Sequence, residues 1–339
     1  MKTMDRRGKR MARLGVRLDP NPQFTSEDSI DLAVLAERKG YEMVWAPEGG
    51  WRDSPTQLAA YAMATKRVKL GTGILPVFSR TPTLMAMTAS SLDMISGHRF
   101  ALGLGVGHRG MAEDGHGVAF EKPMTRMRET VEIVRRLLKG ETVAYKGKVF
   151  DVKRGSLGYP QSFPVPIYIA ALGPQMLEVA GEVADGVLMN WASPSSIGEA
   201  LTHLEVGATR AGRRVQDIDV GCYIRTAVVS DVESVRGPLK QQILRYAGME
   251  YYRNFFAKTG FADEVQAIGR YLREGKTEKA LESISEEMQR GLAVFGDAEY
   301  CKGEIEKRRR LGVKMPVVAP FAVGDAKGSY KRTVEAFGG

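Results

Sequence analysis

Residues 66–110 read KRVKLGTGILPVFSRTPTLMAMTASSLDMISGHRFALGLGVGHRG. Val68 to Leu70 is a short β-branched and apolar run that stops at Gly71-Thr72-Gly73, as a buried strand does. Ile74 to Phe78 stays extended around Pro76. Pro82 then stands in a first helical turn, where its missing N–H costs nothing. The helix covers 83–95 and Gly97 ends it. Arg99 to Leu104 is a second apolar run, closed by Gly103, Gly105 and Gly107. This is a βαβ crossover. Each strand leaves bare backbone at its end, where α/β folds hold their ligands.

The same alternation continues on both sides. Upstream, Leu14 to Leu18 is a strand, and Ser26 caps a helix that carries Ile30, Val34 and Leu35 to a stop at Gly40. Glu42 to Trp45 is a strand, and Ser54-Pro55 opens the next helix. Downstream, an amphipathic helix runs from Pro123 through Met127, Val131, Val134 and Leu138 to Gly140. A hairpin over 142–152 turns at Lys146-Gly147. Strands follow at 166–170, 185–190, 219–229 and 313–318, with helices at 175–181, 195–211, 297–311 and 328–337. Residues 231–296 break the rhythm: the pattern there is helical with no evident strand. Eight strands separated by helices predict an α/β fold, a (β/α)₈ TIM barrel. It spans 1–339 as one domain, with a basic tail over 1–12 and a helical insertion over 231–296 at the top.

The net charge of +9 permits attraction to anionic ligands, yet much of the excess is local. Lys2, Arg6, Arg7, Lys9, Arg10 and Arg13 crowd the start, and Arg308 to Arg310 form a second cluster. These read as a solvated tail and a solvated helix face. No aromatic residues interleave with them, which argues against a nucleic-acid groove. The two cysteines, Cys222 and Cys301, are far apart and lack CxxC spacing, so no structural disulfide is expected. Absence of a signal-like or membrane-spanning apolar run leads to the expectation of a cytoplasmic protein without membrane contact. His108, Asp114 and His116 have no metal-ligand spacing, and no metal is expected.

The 66–110 segment resembles the signature of the luciferase-like monooxygenase superfamily, TIM-barrel oxidoreductases that use FMN or the deazaflavin coenzyme F420. The resemblance extends to LAERKGYEMVWAPE and to PIYIAALGPQMLEVAGEVADGVLMN, and covers nearly the whole chain. The segment from Pro166 to Asn190, with GATRAGRRVQDIDV after it, is most similar to the methylenetetrahydromethanopterin reductase branch, which uses F420. The resemblance implies a cofactor pocket formed by Thr72, Gly73, Ile74, Leu75, Gly105, Val106, Gly107, Ala170, Ala171, Leu172, Gly173, Asn190 and Trp191. Amides at 171–173, at a strand mouth and helix start, would hold its phosphate; the bland reading is a plain βα turn. It also implies a non-prolyl cis bond at Gly73-Ile74, against the alternative of a strand that turns with every bond trans.

Departures from the family bear on the chemistry. An acidic residue followed by histidine is common after the second strand; here the pair is Glu48-Gly49. Arg17 stands where relatives carry a carboxylate, and His108 where many have Glu or Asp. Glu48 and His108 are therefore the candidate catalytic residues, with an exposed loop as the plain reading of His108. Trp51 is placed to wall a substrate pocket. The resemblance implies hydride transfer between F420 and a small organic substrate, pterin-linked in the reductase branch, by a homo-oligomer. The alternatives are an FMN-dependent monooxygenase served by a partner reductase, and a non-catalytic relative that keeps only the cofactor pocket.

Overall fold

The computed structural model describes residues 12–49, 52–158 and 163–338. Trp51 and the tail over 1–11 lie outside the described residues. The first half runs β1 (Gly15–Arg17), α1 (Ser26–Arg38), β2 (Met43–Ala46), α2 (Ser54–Ala64), β3 (Lys69–Thr72), β4 (Leu75–Pro76), α3 (Pro82–Ser96) and β5 (Phe100–Gly105). Then come α4 (Pro123–Leu138), the antiparallel hairpin β6 (Val143–Lys146) and β7 (Asp151–Gly155), β8 (Ile167–Ala170), α5 (Pro174–Val183), β9 (Gly186–Asn190), α6 (Pro194–Arg210) and β10 (Asp219–Val228). Next are α7 (Glu233–Ala247), α8 (Glu250–Phe256), α9 (Ala262–Arg273), α10 (Thr277–Glu282), α11 (Glu286–Leu292) and β11 (Ala293–Gly296). The chain closes with α12 (Ala298–Arg310), β12 (Met315–Pro320) and α13 (Ala326–Phe337).

Eight parallel strands close on themselves in the order β1, β2, β3, β5, β8, β9, β10, β12 and back to β1. The (β/α)₈ barrel and the positions of all eight strands agree with the sequence reading. The helix stops are equally local: Gly97 ends α3 in the left-handed conformation, φ 65°. The N-caps differ by one residue. Thr25, in a capping box with Asp28, starts α1, and Asp53 starts α2.

One departure lies in the insertion. Residues 231–296 are not all helical, because β11 pairs in parallel with the upper half of β10. Four apolar residues directly after a helix have too few positions for a period of 2 to be told from 3.6. The insertion has its own core, in which Ile243, Phe256, Ile268 and Met288 pack with Trp191, Ala227, Phe321 and Val323. Those four lie in or just past β9, β10 and β12, so the insertion sits on the C-terminal face of the barrel.

The barrel interior is filled by Met43, Trp45, Ala101, Tyr168, Leu188, Tyr223, Met315, Val317 and Ala319. Trp45 is fully buried and explains glycines that looked like bare ligand-binding backbone. A Cβ at Gly71 would stand 2.5 Å from its ring, and one at Gly103 would run into the Thr72 carbonyl oxygen. β3 thus gives up a side chain to make room for the indole, and β5 gives one up to let the neighbouring strand's backbone approach.

At the N-terminal end of the barrel, Arg13 donates to Glu42 at 2.8 Å and to Asp219 at 2.8 Å, while the Tyr168 hydroxyl donates to Asp219 at 2.7 Å. Burial pushes both carboxyls up, but the bonds and charge of Arg13 hold each below its ordinary range. Arg13 is therefore a clamp and not part of a solvated tail. Arg308 is likewise buried, donating to the Glu304 carbonyl at 3.1 Å, so only part of the 308–310 cluster faces water. Cys222 and Cys301 are free and buried.

Candidate active site

The C-terminal strand ends converge beneath the insertion. Between β3 and β4 the Gly73-Ile74 peptide is cis, as the resemblance implied. The Ile74 carbonyl accepts the Glu48 N–H at 3.3 Å. The Ile74 side chain lies over Gly105, where a Cβ would approach it to 2.6 Å. Thr72 is buried, its hydroxyl donating to the Gly103 carbonyl at 2.8 Å, so it ties β3 to β5. Gly107 has φ 64°, a left-handed turn that glycine makes without strain. Thr72 through Leu75 and Gly105 through Gly107 therefore form one wall of the mouth.

The opposite wall comes from β1, β9 and β10. Arg17 points inward, 9% exposed, paired with Asp19 at 2.7 Å and lying 4.9 Å from the Tyr223 ring centre. Arg225 is 2% exposed and lies 4.7 Å from the ring centre of Trp191, a residue in the left-handed conformation at φ 58°. Its Nη2 donates to the Tyr246 hydroxyl of α7 at 3.3 Å. Arg17 Nε, Arg225 Nη1, Tyr223 Oη, Trp191 Nε1 and Asn190 Oδ1 are buried without a hydrogen-bond partner. Such a cluster of unmet polar atoms at a strand mouth marks a ligand site.

Beside this wall a cavity of about 530 Å³ runs along the start of α5, lined among others by Leu172, Gly173, Pro174, Met189, Ala192 and Tyr251. The Gly173 N–H donates to the Tyr251 hydroxyl at 2.9 Å, and Asn190 Nδ2 donates to the Tyr252 hydroxyl at 3.0 Å. Two adjacent tyrosines of α8 thus meet two expected cofactor residues. The Ala171 N–H is used by the Leu188 carbonyl at 3.2 Å, so it belongs to the sheet. Ala170 ends β8 beneath Gly105. Val106 is partly buried against the outer core.

Glu48 and His108 do not meet in one hydrogen-bonded pair. Glu48 lines a separate cavity of about 430 Å³ with Arg80, Asp53, Pro76, Met111 and His116. It is held by Arg80 at 3.1 Å and accepts the Ser54 N–H at 3.3 Å. Arg80 also pairs with Asp53. A carboxylate so bound is an acceptor and a positioning group. His108 is exposed in the loop after β5, its Nδ1 accepting the Met111 N–H at 3.1 Å. Burial and then the charge of Arg245 keep the imidazole below its ordinary value. Because Nδ1 accepts, the proton of the neutral ring sits on Nε2, the nitrogen free to donate.

Arg225, Tyr223, Tyr246, Tyr251 and Tyr252 were not foreseen. A signal for two of them existed: in GCYIRTAV, Tyr223 and Arg225 fall two apart on one face, a charge inside an otherwise apolar strand. The three α7 and α8 tyrosines gave none, since their partners Arg225, Gly173 and Asn190 lie 21, 78 and 62 residues away.

A profile of the luciferase-like monooxygenase family matches residues 11–315. A 5,10-methylenetetrahydromethanopterin reductase of Methanolobus tindarius is 30% identical, over 90% of this chain and 94% of its own. The coenzyme F420-dependent tetrahydromethanopterin reductase from Methanopyrus kandleri superposes with a TM-score of 0.78 at 25% identity, covering 96% of this chain and 97% of its own. An F420-dependent secondary alcohol dehydrogenase shares the fold, with a TM-score of 0.76 at 20% identity and coverage of 96% and 99%. With a closed parallel barrel and a profile match over most of its length, the chain belongs to the luciferase-like monooxygenase family.

Proposed function

We propose that this oxidoreductase passes a hydride between coenzyme F420 and a small organic substrate. The observation that carries the reading is the groove at the head of α5. There the Gly173 N–H faces the helix start, held only by a tyrosine hydroxyl that a phosphate oxygen can replace. The residues fit the cofactor: Leu172 and Gly173 would hold its phosphate, and the walls at Thr72–Leu75, Gly105–Gly107, Asn190 and Trp191 its ring. When bound, F420 supplies a carbon that gives or takes hydride without reacting readily with oxygen. The chain's own part is positioning. Ile74 and Trp191 fix the two walls, Glu48 holds the loop after β2 through Arg80, and the insertion excludes water. The pterin-linked form of the substrate is supported by the similarity to reductases of that kind.

Titration of purified protein with F420 and with FMN tests the reading. F420 is expected to bind, and the reduced complex to consume no oxygen. Tight FMN binding with oxygen uptake would replace it by the monooxygenase reading, and binding without turnover of any substrate by the non-catalytic one. His108→Ala is expected to lower turnover about tenfold, the loss of one hydrogen bond from Nε2 to the substrate. Its F420 affinity should stay near that of the parent; unchanged turnover returns His108 to an exposed loop. We also propose a homo-oligomer, supported by the exposed apolar row Leu84, Met87, Met94 and Ile95 on α3 beside Met63 on α2. Sedimentation showing only monomer at micromolar concentration would exclude it.

A further inference from the structure

The two inward arginines have a use that hydride transfer itself does not require. Arg17 and Arg225 stand on β1 and β10, flanking β12, where Ala319 pairs with Arg225 and keeps the space between them small-sided. Both are more than nine-tenths buried. One carboxylate, Asp19, pairs with Arg17, and among the described residues Arg225 has only the Tyr246 hydroxyl as a hydrogen-bond partner. The cluster therefore carries one buried positive charge more than its negative partners supply. One nitrogen of each guanidinium, Arg17 Nε and Arg225 Nη1, is without a hydrogen bond, and so is the Tyr223 hydroxyl beside Arg17.

Leaving guanidinium N–H groups unmet in a protein interior costs free energy, and an anion that accepts from them recovers it. The geometry is also fixed in advance. Trp191 lies 4.7 Å from the Arg225 guanidinium and Tyr223 lies 4.9 Å from that of Arg17, so each planar fork rests against a ring. Fixed forks suit a planar two-oxygen acceptor better than a point anion. The field of the pair is felt next door: burial pushes the Tyr246 phenol up, but the charges of Arg225 and Arg17 hold it below its ordinary value.

We propose that Arg17 and Arg225 form a buried anchor for a carboxylate on the substrate, so that the molecule reduced or oxidised at this mouth is an organic acid. This deepens the hydride-transfer reading and rests on it for the reaction, but not for the binding. The Tyr223 hydroxyl supplies a third bond to the acid. The Tyr223 hydroxyl reaches the Gly73 end of the Thr72–Leu75 wall, where a Cβ would run into it, so the acid group is held beside that wall and the reacting carbon is brought next to the cofactor ring.

The test uses the full chain without cofactor. Trp191 touches Arg225, so its fluorescence reports the site. Acetate, pyruvate and benzoate are titrated against acetamide and benzamide, which keep the shape and lose the charge. The acids are expected to bind and the amides not. Arg17→Met and Arg225→Met should each weaken acid binding at least about tenfold, the loss of one charge-assisted bond. Arg17→Lys and Arg225→Lys, which keep the charge without the fork, should fall between and are read if a methionine variant does not fold. F420 affinity, followed by the cofactor's own absorbance, should fall less than acid binding in every variant. Equal binding of acids and amides, or acid binding indifferent to both arginines, overturns the proposal. So does a matching loss of F420 affinity, which would assign the pair to the cofactor. Acid binding by a protein that takes up no F420 would leave the anchor standing and remove the cofactor reading.

Discussion

Gly173→Asp is expected to weaken F420 binding about 100-fold or more, some 2.7 kcal/mol, measured by titration of the cofactor's absorbance. Gly173 is the N-cap of α5 with an extended backbone, φ −85° and ψ 157°, so alanine is tolerated by the chain itself. A Cβ there would lie 3.1 Å from the Tyr251 hydroxyl, which must give slightly. Aspartate adds a like charge at the helix end where the phosphate has to sit. It also caps the helix, so the variant should fold at least as well as the parent. That separates the binding effect from a stability effect. Tyr251→Phe is the counterpart, since it removes the hydroxyl that competes for the Gly173 N–H. Its expected effect is tighter binding. If Gly173→Asp binds F420 like the parent, the phosphate is held elsewhere.

The second large effect is on the barrel. Trp45→Ala should cost about 3–5 kcal/mol of unfolding free energy, the range for emptying a buried aromatic site. Urea denaturation should show a lower midpoint with little change in slope. The interior glycines then offer a sharper measurement. Gly71→Ala clashes with the indole in the parent but fills space in Trp45→Ala, so the second substitution should recover part of the loss. Gly103→Ala should not recover any, because its obstacle is the Thr72 carbonyl and not the indole. Equal behaviour of the two glycines would mean that Trp45 does not decide either.

The barrel was legible because parallel strands are continuous apolar runs with a glycine or polar residue at each end, and the connecting helices carry their own stops. Those signals are local. What was missed depends on partners distant in the chain. Arg13 looks like the last residue of a basic tail until Asp219, 206 positions away, is brought beside it. Gly71 looks like ligand-facing backbone until the Trp45 ring is seen against it, and Gly103 until the Thr72 carbonyl is. Residues 172 and 173, expected to bind a cofactor, line a groove, whereas Glu48 lies in a different one with Arg80. Family position alone chose Glu48, and the ion pair that occupies it has no sequence pattern.

The clamp of Arg13, Glu42 and Asp219 joins the beginning of the chain to its last third, and β1 is completed only by β12. During synthesis, therefore, the first strand is made early and sealed last. Until residues 315–320 leave the ribosome, one edge of β1 presents unpaired backbone groups, and a growing chain in that state is open to pairing with a neighbour. Three residues is a short edge, Gly15–Arg17, with a charged side chain at its end. The brevity of that strand protects the unfinished protein during the interval before the barrel can close.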